Sequence, residues 1–143
     1  MFKFKLENVL NFRKIKEEEA VREYRLKKKE INECEVKIGE IKKKITENKK
    51  ELQTVLDVNM IKIIDNYLFR LGKELEYTEL KLHNLKNELV ALENKMFQAM
   101  KERKVLENLK EKKRLEYFRE ENLKEQKFLD EIASIAENRK KLN

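Results

Sequence analysis

No proline occurs in this chain, and its only glycines, Gly39 and Gly72, lie far apart, each flanked by strong helix formers. Compact folds need such residues where the backbone reverses, so their scarcity predicts one uninterrupted type of element, the α-helix. Each glycine is expected inside a helix at a cost of about 1 kcal/mol, with Gly72 a place where a second helix could approach closely. High charge with few aromatic residues can also signal disorder, and 44% of this chain is charged. The 40% that is apolar recurs at helical spacing, however, which a disordered segment has no reason to do.

Two heptad seams organise the pattern. The first steps alternately by four and three through Leu6, Leu10, Arg13, Glu17, Ala20, Tyr24, Lys27, Ile31, Cys34, Ile38, Ile41, Ile45, Asn48, Leu52 and Val55. Arg13, Glu17 and Lys27 interrupt it, so the stretch between them is expected to pack less firmly. Asn48, polar at a core position, is expected to set register or partner number. The second seam runs from Leu68 through Leu71, Leu75, Thr78, Leu82, Leu85, Leu89, Leu92, Met96, Ala99 and Arg103 to Leu106.

Between the seams lies Leu56-Asp57-Val58-Asn59-Met60, where two helix-competing residues fall close together. Here the chain is expected to reverse, with Asp57 or Asn59 capping the second helix. The fold class is thus all-α, a long antiparallel two-helix coiled-coil hairpin. Its first helix is expected over about 4–55, the turn over about 56–60 and the second helix over about 61–140. The alternative is one continuous helix that dimerises with a second copy.

A turn centred near Val58 sets partners whose numbers sum to about 116, so Leu10 faces Leu106 and Leu6 faces Lys110, and everything beyond lacks a partner. The last ~30 residues then form an overhanging helix with the stripe Leu115, Phe118, Glu125, Leu129, Ile132, Ala136, apolar enough to dock but too broken to fold alone. The net charge of +7 is uneven. Residues 1–30 hold ten basic and six acidic side chains, residues 31–100 twelve of each, and residues 101–143 thirteen and ten. A hairpin would gather both basic ends together and aim them at an acidic partner surface.

Enzymatic chemistry finds no support. Two isolated glycines make no phosphate loop. His83 has no second histidine or nearby cysteine to complete a metal site, and Cys34 reads as a small apolar filler of the seam. No cofactor is expected. No run of about 18 apolar residues suggests direct membrane insertion, the first residues are too charged for a signal peptide, and a single cysteine agrees with a reducing compartment, so a cytoplasmic protein is expected. Lys27-Lys28-Lys29 and the lysines from Lys110 to Arg114 raise nucleic-acid binding as a rival. They are interleaved with glutamates and lack an aromatic platform, so no nucleic acid is expected as partner. A generic coiled-coil spacer is the structural rival. A prefoldin-like chaperone would need a β-hairpin that the sequence does not offer.

The opening Phe2-Lys3-Phe4-Lys5-Leu6-Glu7-Asn8-Val9-Leu10, with Arg13 behind it, resembles the start of FliJ-family proteins, the small coiled-coil component of the flagellar type III export apparatus. Lys124-Glu125-Gln126-Lys127-Phe128-Leu129-Asp130-Glu131-Ile132-Ala133 is similar to that family's C-terminal pattern, and Asn66-Tyr67 followed by Leu71 to its segment after the turn. The resemblance implies a non-catalytic hairpin like the central stalk of rotary ATPases, its paired termini entering the pore of the hexameric flagellar export ATPase. It further implies contact with the cytoplasmic domain of the export gate membrane protein, recycling of export chaperones, and peripheral association with the inner membrane export apparatus. Injectisome counterparts share the hairpin. The partner-binding residues it implies are Tyr67 and Leu71 for the gate, and Gln126, Leu129, Asp130 and Glu131, with Phe2 and Phe4 beside them, for the ATPase.

Overall fold

The computed structural model describes residues 1–142. They form two α-helices packed as an all-α hairpin, α1 (Glu7–Thr54) and α2 (Val58–Leu142), with no strand among the described residues. The reversal takes three residues, 55–57, and is earlier and tighter than the five-residue turn that the sequence suggests: Asn59 and Met60 are already helical. Asp57 is the reason. Its carboxylate accepts a hydrogen bond from the Asn59 amide at 3.1 Å, and its carbonyl accepts the first intrahelical bond, from the Ile61 amide, at 3.0 Å. One side chain thus satisfies an orphan first-turn donor and fixes where α2 begins. No described residue has a positive φ, so this turn needs no glycine.

Two compact units make up the chain. One, residues 18–98, contains the turn; the other joins residues 1–17 to residues 99–143.

In the turn-containing unit the seam is apolar. Ile31, Cys34, Ile38 and Leu85 form a buried cluster against which Leu75, Leu82 and Leu89 pack. Ala20, Ile41, Ile64 and Leu71 are also buried in this unit. Two polar groups in this seam find their bonds locally: the buried Thr78 hydroxyl donates to the Glu74 carbonyl at 2.7 Å, and Asn48 Nδ2 donates to the Lys44 carbonyl at 2.7 Å. Asn48 therefore turns back on its own helix. The charged seam position Lys27 pairs with Glu88 at 2.7 Å, and further ion pairs flank the seam, Glu23–Lys95 at 3.0 Å, and Glu35–Lys86 and Lys37–Glu74 at 3.7 Å. Each lies within a few residues of the expected register sum of about 116. The hydrogen bond that the Lys27 ammonium donates to Glu88 holds its pKa above the ordinary lysine value, partly offset by desolvation.

In the other unit the seam is mixed. Leu10 is 1% exposed and anchors it. Beside it the charged positions that interrupt the sequence pattern are matched across the arms. Arg13 binds Glu102 at 2.6 Å, Glu17 receives the Arg103 Nε–H, and Lys110 reaches Glu7 at 2.8 Å. The Glu17 and Arg103 side chains are each only 19% exposed, and Arg103 also donates to Glu107 at 2.6 Å. These contacts, Glu17's first, raise the Arg103 pKa above its ordinary value. What one arm presents as a gap in the seam is therefore half of an ion pair.

The glycines play no packing part. A methyl group built on Gly39 or on Gly72 meets nothing within 4 Å, so Gly72 does not mark a close helix approach as its sequence position suggested. Both sit mid-helix at the entropic cost of glycine. Gly39→Ala and Gly72→Ala are each expected to stabilise the protein by about 0.5–1 kcal/mol. Thermal unfolding followed by circular dichroism measures this, and a lower midpoint for either variant would mean that its neighbourhood is tighter than described.

Candidate partner-binding surfaces

The N-terminal residues are not helical. Met-Phe-Lys-Phe-Lys alternates apolar and basic side chains at period two, and this segment precedes α1 as a strap whose Phe2 and Phe4 are half-buried while Lys3 and Lys5 are exposed. The first helix accordingly starts at Glu7 rather than near Phe4, its amide donating to the Phe4 carbonyl at 3.2 Å. Phe2 lies 5.7 Å, centroid to centroid, from Tyr117, and the Met1 ammonium donates to the Tyr117 hydroxyl at 2.6 Å. Leu109 and Lys113 of α2 line the same cleft. The register arithmetic left everything after Lys110 without a partner; the strap carries contact on to Tyr117, and its cleft extends to Glu120. A non-helical segment can cover more length per residue than the about 1.5 Å of a helix, so the residues before Glu7 reach past the helical register.

From Tyr117 the aromatic contact continues along α2. Tyr117 and Phe118 meet edge to face at 5.6 Å, and the Arg114 guanidinium lies 5.5 Å from the Phe118 centroid. Arg114 is held there by two hydrogen bonds to Glu111, of 2.9 and 2.6 Å, which lower the Glu111 pKa and raise that of Arg114.

Beyond the cleft, residues 121–142 are exposed throughout. They make roughly 33 Å of helix at about 1.5 Å per residue. Gln126, Leu129, Asp130 and Glu131 all lie on this overhang, with Phe128, Ile132 and Ile135 exposed among them. Phe2 and Phe4 belong to the same unit, but they pack at the cleft rather than on the overhang. This unit contains eighteen basic and twelve acidic side chains, a net +6 of the chain's +7.

In the turn-containing unit Tyr67 and Leu71 have different fates. Tyr67 is 39% exposed, whereas Leu71 is 3% exposed and sits in the seam. Only Tyr67 offers a surface, and Leu71 supports the helix beneath it. Tyr67 is part of an exposed helical stripe that sequence reading missed: Met60, Ile63 and Tyr67 recur at spacings of three and four on α2, with all three side chains exposed. The signal was present in that spacing but lay hidden beside the longer leucine seam.

A family model described as flagellar FliJ protein matches residues 2–142, nearly the entire chain. The chain belongs to the FliJ family. Neither the curated proteins nor the solved structures contain a match. FliJ membership makes the chain a component of the flagellar export apparatus. No group of three or more His, Cys, Asp or Glu side chains positioned for a metal occurs among the described residues. No described helix is long and apolar enough to cross a membrane.

The contrast between Tyr67 and Leu71 can be measured. Leu71→Ala, which empties a buried position, is expected to cost about 2–5 kcal/mol. Tyr67→Ala is expected to shift the unfolding midpoint by no more than about a quarter as much. Equal losses in denaturant titrations would put both residues in the seam.

Proposed function

We propose that this protein acts in the cytoplasm as the stalk of the export ATPase, its terminal unit entering the ring while Tyr67 and the exposed stripe around it meet the cytoplasmic domain of the export gate. The observation that carries this reading is the unit built from both chain ends. It combines nearly all of the net positive charge with a projecting helix whose apolar side chains have no described partner. A part that enters a ring must be slender, must present side chains on its outside and must be drawn in the right orientation. Charge contributes mainly to the last of these, through steering. The half-exposed Phe128, Leu129, Ile132 and Ile135 would supply contact area, and Gln126, Asp130 and Glu131 polar contacts along the same helix.

The exposed stripe of Met60, Ile63 and Tyr67 is short and narrow, which suits an i, i+3, i+7 anchor pattern in a partner's groove. Recycling of export chaperones would use exposed helical surface in the same manner, and belongs to this reading through family membership.

Deleting residues 121–142 removes the overhang but leaves the strap, the cleft and the paired arms. The shortened protein is expected to keep its helical signal per residue and its unfolding midpoint within a few degrees, and to lose co-purification with the cognate ATPase hexamer and any stimulation of its ATP hydrolysis. Undiminished binding and stimulation would argue against insertion of the overhang.

A further inference from the structure

We propose that, outside any larger assembly, the overhang of one copy pairs antiparallel with the overhang of a second copy about a two-fold axis beside Ile132. Phe128, Leu129, Ile132, Ile135 and Ala136 share one face of α2 by their three- and four-residue spacing, and all are exposed. A symmetric dimer requires a self-complementary surface, in which residue i meets residue j and j meets i. Reversing this segment about Ile132 meets that requirement. Ile132 meets its own copy, and Leu129 comes level with Ile135. Phe128, the largest side chain of the face, comes level with Ala136, the smallest. Glu125 comes level with Arg139, twice over by symmetry. Both are exposed and continue the same face at either end of the apolar patch.

A parallel pair would do the opposite, setting Glu125 against Glu125, Arg139 against Arg139 and Phe128 against Phe128, so charge and volume together select the antiparallel arrangement. One contact opposes it. Glu131 lies on the flank near the axis, where its two copies approach each other, although Lys127 sits one turn away on the same helix. With this repulsion and only about three to four turns per copy, the interface is smaller than a standard one, and association belongs at roughly 10–100 µM.

Pairing would also cover Leu129 and its neighbours, so a paired copy could not offer that face to a ring. Self-association would then keep idle protein soluble and withhold its overhang until a tighter site competes for it. The pairing itself does not depend on the stalk reading, because it needs only the protein alone.

Sedimentation equilibrium of the full-length chain over about 5–500 µM tests it. A monomer–dimer equilibrium is expected, with Glu125→Arg and Arg139→Glu each weakening the dimer at least about tenfold through like-charge contact, and the double exchange Glu125→Arg with Arg139→Glu restoring it to within about threefold. Circular dichroism of the variants, all altered at exposed positions, should be unchanged. A protein that stays monomeric throughout, a dimer indifferent to either single exchange, or a double variant no better than the singles would each overturn the proposal.

Discussion

The pairing of Glu17 with Arg103 across the seam is the interaction on which the terminal unit depends. A coiled-coil seam made of leucine alone would allow the arms to slide by a heptad, since every apolar layer resembles the next. Partly covered charges remove that freedom. A one-heptad shift would set Arg13 against Lys95 or Leu109 and Arg103 against Leu10 or Tyr24, and leave each without the carboxylate that offsets its desolvation. The cost falls on wrong registers, so these residues contribute more to specifying the structure than to its stability. In the turn-containing unit the apolar cluster around Ile38 and Leu85 supplies the cohesion, and the capped turn at Asp57 fixes the start of α2.

Register has a functional consequence because the arms are unequal. Where α1 ends its pairing determines how much of α2 is left over, and the strap adjusts that remainder. By staying non-helical, the residues before Glu7 reach Tyr117 and cover the apolar surface around Leu109, so that the free helix begins after the cleft. The overhang keeps an amphipathic face but no intramolecular partner for it. An isolated helix of this length is marginal in water, and a face of this kind gains most of its stability from whatever it docks on.

Much of this architecture could be read from the residues. The stripes of Ile31 to Ile45 and Leu68 to Leu92 repeat often enough to fix helix type and pairing direction, and the register sum of about 116 agrees with ion pairs in both units. Other features could not be read one arm at a time. Arg13, Glu17 and Lys27 look like defects until Glu102, Arg103 and Glu88 are set opposite them. The turn closed earlier than composition suggested because one capping carboxylate outweighs the general reluctance of Asn59 to be helical. The strap escaped notice because its period-two pattern spans only five residues and adjoins a long helical one. For the surfaces, exposure separated Tyr67 from Leu71, a distinction of one step in the heptad that family resemblance does not make.

The claim that complementary seam charges hold the arms in register is tested most directly by charge reversal in a double-mutant cycle at Glu17 and Arg103, read as the thermal unfolding midpoint at low and high salt. Glu17→Arg and Arg103→Glu alone should each lower the midpoint by setting like charges together in a half-covered seam, and the two combined should recover most of the loss, with the recovery shrinking as salt is added. Losses that simply add in the double variant would show that these side chains do not meet, and would contradict the register on which the account rests.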